Sequence, residues 1–250
     1  MEDAVYLEMA SVEARHWWFT GRRRILEQEI GRRLPPAPPE GRRILEVGSG
    51  TGGNLELLKT FGSVDAVEPS AMARELAART EGVRLHDGRL PDQMPDFPEG
   101  FDLIGAFDVI EHVEADAASI RTLAGLLRPE GLLVVTVPAF GALWSRHDER
   151  HHHRRRYSRR GLEALFRQPG LEIVRLTYFN TLLFPLAASV RLAERAGLIG
   201  SAGADRLPPP ALNAVLAGIF GAEAGLLRLL SPPFGLSLLL IARKTGAPGG

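Results

Sequence analysis

The chain has 250 residues, 45% of them hydrophobic, and its thirty basic side chains balance thirty acidic ones, so the material suits one elaborated domain and gives no ground for nucleic-acid binding. Cysteine is absent, which excludes disulfides, thiolate zinc sites and cysteine nucleophiles. Residues 1–19 are acidic and lack the apolar core of a signal peptide, and no run approaches about 18 uninterrupted strongly apolar residues, so no spanning helix is expected. The expectation is a cytoplasmic protein, with peripheral contact at the inner membrane face and a homodimer both left open.

Two helical segments are expected first, at residues 2–18 and 21–34. The run Pro35-Pro36-Ala37-Pro38-Pro39 then stops any helix, because proline has no amide to donate. Residues 1–40 therefore read as a helical cap and linker, ahead of a main domain at 41–250. That domain alternates: strand 43–47, helix 54–60, strand 64–68, helix 70–79, strand 83–86, a proline-broken loop at 89–100, strand 101–107, helix 114–128 and strand 132–137. Such alternation predicts βαβ units and a doubly wound parallel sheet covered on both faces. A His- and Arg-rich segment at 141–157 follows, then helix 158–167, strand 171–176, a mostly helical insert at 181–231 broken at Pro208-Pro209-Pro210, and strand 236–242.

The strongest local signal is Ile44-Leu45-Glu46-Val47-Gly48-Ser49-Gly50-Thr51-Gly52-Gly53-Asn54, which closes a strand and opens a helix. Glycines there permit a tight turn and close backbone approach to a ligand, and the helix start adds amide donors. The spacing Gly48-x-Gly50-x-x-Gly53 also fits the dinucleotide fingerprint, so glycines alone do not separate NAD from S-adenosylmethionine. Glu68 lies about 20 residues beyond the loop, where a carboxylate is placed to accept from ribose hydroxyls. In His86-Asp87-Gly88, Asp87 suits the exocyclic amine of adenine as a double acceptor, or is an ordinary turn residue before glycine.

Residues 44–54, Glu68, Asp87 and Phe107-Asp108-Val109-Ile110-Glu111-His112-Val113 together resemble the successive motifs of class I S-adenosylmethionine-dependent methyltransferases, of a bacterial small-molecule subgroup. The resemblance implies a Rossmann-like fold with a seven-stranded sheet whose last strand is antiparallel. It implies that Glu46 lies near the methionyl end of the cofactor, that Gly48, Ser49, Gly50, Thr51 and Gly52 wrap that end, and that Glu68 with Pro69 meets the ribose. It places Asp87 and Gly88 by the adenine, and Phe107, Asp108 and Val109 facing the cofactor. His16-Trp17-Trp18-Phe19, Trp144-Ser145-x-His147-Asp148-Glu149 and Arg155-Arg156-Tyr157-Ser158 add a looser similarity to the same bacterial subgroup.

Methyl transfer from a sulfonium is an in-line displacement in which the protein mainly aligns the partners and excludes water. A hydroxyl acceptor calls for a base, and His112, His147 and His153 are the candidates at the expected carboxyl edge of the sheet. Asp108-x-x-Glu111-His112 resembles the Glu-x-x-Glu-His metal site of ubiquinone-pathway O-methyltransferases with its first Glu shortened to Asp, and no metal is expected. Arg154, Arg155 and Arg156 with Tyr157 can grip an anionic small-molecule acceptor or form a solvated basic stretch. Trp17, Trp18 and Phe19 can close a lid or dock a helix. The stripe Leu212, Val215, Leu216, Ile219, Leu226, Leu227 and Leu230, interrupted at Glu223, suits packing or a dimer partner; its sharper use is a wall for a lipid-linked acceptor. The rival classes are an NAD(P)-dependent oxidoreductase, which lacks a Tyr-x-x-x-Lys pair here, and a non-catalytic Rossmann-like binding protein.

Overall fold

The computed structural model describes residues 3–198 and 207–246; part of the expected helical insert, residues 199–206, lies outside them. The elements are α1 (Asp3–Val12), α2 (Trp17–Gly31), β1 (Arg43–Val47), α3 (Leu55–Lys59), β2 (Ser63–Val67), α4 (Ala71–Ala77), β3 (Val83–His86), β4 (Phe101–Phe107), α5 (Asp116–Leu126), β5 (Leu127–Pro138), α6 (Arg146–Arg150), α7 (Arg159–Phe166), β6 (Leu171–Phe179), α8 (Phe184–Arg195), α9 (Pro210–Leu229) and β7 (Ser237–Lys244).

The strands form one seven-stranded sheet in the order β3-β2-β1-β4-β5-β7-β6. β1 to β5 are mutually parallel, and β7 runs antiparallel between β5 and β6. This is the expected doubly wound Rossmann-like sheet with an antiparallel last strand. Side chains alternate across it. Leu45, Ile104, Leu133, Val135 and Leu240 pack with α5 and α7 on one face. Ile44, Leu103, Leu132, Val134 and Ile241 pack on the other with Ile25, Leu26 and Ile30 of α2 and Phe220 and Leu227 of α9. Burial on both faces is what makes these strands read as continuous apolar runs.

Three boundaries differ from the expectation. The first helical break precedes Trp17, because the His16 imidazole accepts from the Trp18 amide (3.2 Å) and starts α2 there. β5 begins at Leu127, paired with Phe101, and passes through an irregularity at Pro129-Glu130-Gly131 before regaining register at Leu132. β6 runs on to Phe179 because it follows β7 along its whole length.

Glu223 explains the interruption in the apolar stripe of α9. Its buried carboxylate accepts from the Leu182 amide at 2.7 Å and draws the chain leaving β6 onto α9. Arg175 of β6 donates to the Leu227 and Leu230 carbonyls and so caps the end of α9.

Candidate functional site

A cavity of about 1040 Å³ lies along the carboxyl edge of the parallel strands, between the glycine loop on one side and α6 and α8 on the other. Ligands of open α/β sheets bind at this edge. Gly48, Ser49, Gly50 and Thr51 line it; Gly52 does not, and its α-hydrogen side faces Leu55 and Ala77 instead. Gly48 has φ +68°, and a Cβ there would stand 2.5 Å from Val109, so only glycine lets the turn and the segment after β4 approach so closely.

Glu68 follows directly on β2 and faces the cavity. Its carboxylate accepts the Gly50 amide (2.9 Å) and the Ser70 amide (2.9 Å), and the Tyr6 hydroxyl lies 3.4 Å away. Burial first, and the Glu68 charge second, push the Tyr6 phenol up to about 12. Pro69 and Gly88 also line the cavity. Asp87 does not. Its side chain is 73% exposed and pairs through one oxygen with Arg74 of α4 at 2.9 Å.

Glu46 lies beneath the loop rather than on the cavity wall. One carboxyl oxygen accepts from the Asn54 amide (2.8 Å) and the other has no hydrogen-bond partner. Burial raises its pKa to about 8. Phe107, Asp108 and Val109 line the cavity after β4. Asp108 adopts a left-handed φ of 57° and pairs with Arg22 of α2 and with the Thr136 hydroxyl (3.1 Å). That pairing fastens α2 to the carboxyl edge.

The far half of the cavity is built from the turn Ile110–His112 and the segment around α6. His112, His147 and His153 all line it. The His112 and His153 rings meet edge to face at 4.7 Å. Asp148 accepts from His153 Nδ1 (2.9 Å), from Arg156 (2.8 Å) and from the Ser145 amide (2.9 Å). Although burial pushes that carboxyl up, the His153 hydrogen bond and the Arg156 guanidinium hold it below the usual carboxylate range. With Asp148 ionised, this contact requires the His153 proton on Nδ1. Nε2 lies 4.0 Å from the Glu111 carboxylate. Glu111 is fully buried with no hydrogen bond to either oxygen, and burial together with the Asp108 charge raises its pKa well above the ordinary value. Burial, reinforced by His153, lowers His112 to about 4, so it is neutral at physiological pH.

Each arginine of the run pairs with a carboxylate of the protein, Arg154 at the surface and Arg156 buried. Arg154 pairs with Glu114 (3.2 Å), Arg155 with Asp116 (2.7 Å) and Arg156 with Asp148, while the Tyr157 hydroxyl donates to Asp116 (3.0 Å). These pairs clamp the His-rich segment to the edge of the sheet, and Arg154 and Arg156 line the cavity. The aromatic run docks and lines at once: Trp18 stacks on Phe220 at 5.2 Å while Trp17, Trp18 and Phe19 all reach the cavity.

Two contributors carry no sequence signal of their own. α1 crosses the glycine loop, with Glu13 accepting from the Thr51 hydroxyl (2.7 Å) and Glu8 pairing with Arg150. Asn180 follows β6 with a left-handed φ of 55° and faces the cavity, fully buried, with neither amide atom hydrogen-bonded. A residue type that tolerates this backbone region, just past a strand end, was the only hint.

A family model described as a methyltransferase domain matches residues 18–176. The chain is 35% identical over 107 residues to a ubiquinone biosynthesis O-methyltransferase of Methylocella silvestris, covering 40% of this chain and 41% of that protein. It is 33% identical over 100 residues to the enzyme of the same name from Rhodopseudomonas palustris, covering 38% and 40%. The match thus spans about two fifths of these relatives' length. Among solved structures, phosphoethanolamine N-methyltransferase 2 of Haemonchus contortus, in complex with S-adenosyl-L-methionine, superposes with a TM-score of 0.55 at 15% identity, over 89% of this chain and 52% of that one. The cyclase SpnF superposes with 0.56 at 20% identity, over 89% and 81%, so the fold by itself does not fix the reaction. Since the family model covers well over half of the residues, from the start of α2 to the middle of β6, the chain belongs to the methyltransferase domain family.

Proposed function

We propose that the protein transfers a methyl group from S-adenosylmethionine to a hydroxyl oxygen of a small-molecule acceptor. The observation that carries this is a single cavity with Glu68 and the glycine loop at one end and His153, held by Asp148, at the other. The residues fit the cofactor. Glu68 keeps acceptor capacity beyond its two amide bonds, because a carboxylate offers about four lone-pair sites. The Ser49 hydroxyl is buried there without a partner, and Gly50, at φ +52°, brings its backbone to the cavity with no side chain. When bound, the cofactor supplies an already activated methyl group.

The protein's own part is positioning and one proton. His153 takes the acceptor's proton at Nε2, and Asp148 holds its Nδ1–H and stabilises the imidazolium that forms. Asn180 offers an amide to a polar group of the acceptor. Leu186, Val190 and Leu216 give the rest of the acceptor an apolar wall, and Arg146 beside the cavity suits an anionic substituent. We place the protein in the cytoplasm, which cell fractionation tests.

Calorimetry with S-adenosylmethionine, its demethylated product and NADH tests the cofactor. The first two should bind at micromolar concentration and NADH should not. Glu68→Ala should weaken binding by about 10- to 100-fold, the worth of charge-assisted hydrogen bonds. Binding by NADH alone would refute the reading, and binding without methyl transfer to any extract component would favour a non-catalytic protein.

A second reading of the far half is favoured by Glu111. Its bare carboxylate and the His112 and His153 nitrogens all lie within 4.8 Å of one another, a set that can hold a divalent cation able to acidify a hydroxyl. Chelator-treated protein that keeps full activity and binds no Zn²⁺ or Mn²⁺ in calorimetry would dismiss it.

A further inference from the structure

We infer that the exposed face of α9, together with the outer leucines of α8, rests on an anionic lipid bilayer. α9 is apolar on the outside as well as the inside. Leu212 is 50% exposed, Val215 57% and Leu229 84%, with Ile219 between them. The other outward residues of that face are alanine and glycine. The charged residues of α9 are Glu223, which is buried, and Arg228. On α8, Leu186 and Leu192 are 62% and 51% exposed, and Leu182 just before it is 49% exposed.

The rim of this face is basic. Arg24 lies against Gly221 of α9, and Arg32 donates to the Arg228 carbonyl (3.4 Å), so Arg24, Arg32 and Arg228 border the apolar stripe where α2 meets α9. None of the three pairs with a carboxylate among the described residues. Glu29 of α2 is buried with Arg33 and Arg175, which leaves Glu27 as the exposed acid of that helix. An uncharged helix face bordered by arginines complements anionic headgroups over acyl chains. It suits a second copy of the chain less well, because a rim of one sign gains no ion pairs from its own image.

The helix lies on the surface and does not span it. It has the length and composition of a spanning segment, with mean hydropathy 1.4 over its most apolar window. Its inner face, however, is fixed to the protein through Phe220, Leu227, the Gln28–Ala224 hydrogen bond and Glu223. α9 reaches the cavity through Leu216, and Leu186 of α8 is both exposed and part of the cavity wall. On the methyltransferase reading, an acceptor with an apolar chain would therefore enter from the bilayer; the docking itself does not depend on that reading.

Sedimentation of the full chain with vesicles of phosphatidylcholine mixed with phosphatidylglycerol, against phosphatidylcholine alone, tests the inference. The mixed vesicles should bind the protein, and about 1 M salt, where the screening length is ~3 Å, should release most of it. Val215→Glu with Ile219→Glu should lower binding about tenfold or more while S-adenosylmethionine affinity stays unchanged, which also shows that the variant folds. Arg24→Glu with Arg32→Glu should abolish the preference for anionic vesicles. Absence of binding, equal binding by both variants, resistance to alkaline carbonate extraction, or a dimer in light scattering that the α9 variant dissolves would each overturn it.

Discussion

Replacing Glu46 with glutamine should stabilise the protein by an amount that grows as pH rises from about 4.5 to about 8. Glu46 is 1% exposed, holds Asn54 through one oxygen and leaves the other bare. Burial lifts its pKa to about 8, against ~4.3 in an unfolded chain. The folded state therefore binds the extra proton across that window, and stability falls as pH rises through it. The gap of roughly 3.7 units, at about 1.4 kcal/mol per unit, makes the penalty about 5 kcal/mol near and above pH 8 and nearly nothing below ~pH 4.5. Glutamine keeps the oxygen that Asn54 needs and cannot ionise. Guanidinium unfolding of both proteins between about pH 4 and 8 should show curves that nearly coincide at the acid end and diverge by several kcal/mol at the other. A constant difference across that range, or a glutamine variant weaker at pH 8, would show that Glu46 is ionised in the folded protein.

Glu223→Ala should cost about 3 kcal/mol in chemical denaturation, because the Leu182 amide it accepts would be left buried without a partner. An unchanged unfolding midpoint would mean that the carboxylate does not hold the β6–α8 link. Asp148→Asn should reduce methyl transfer by about 10²- to 10⁴-fold and move the acid limb of its pH profile downward, with S-adenosylmethionine affinity preserved. A profile of unaltered shape would reduce Asp148 to a structural clamp.

The parts legible in the sequence were those whose signal is local. Leu132–Val137 reads as a buried strand because both faces of a parallel sheet are covered, and the glycine loop announces itself because Gly48 alone fits against Val109. What escaped depends on partners distant in the chain. Asp87 follows the expected strand, but nothing in its neighbourhood says that Arg74 will claim it. The arginines at 154–156 look free until Glu114, Asp116 and Asp148 arrive from elsewhere. His147 and His153 are equally plausible bases on paper; only the fold gives His153 the buried carboxylate behind its ring. The start of α2 was missed because histidine is outside the usual set of capping residues.

The place of β7 has a consequence for how the molecule is assembled. β6 touches the sheet only through β7, which lies between it and β5. The segment carrying Asn180 and α8 therefore has no strand to pair with until residues near 240 have left the ribosome, whereas β1 to β5, with the glycine loop, can pair as they emerge. During synthesis the glycine-loop side of the cavity takes shape first and the Asn180 side last, so a chain cut short before Ser237 would carry Glu68 and its loop but leave the crevice unwalled.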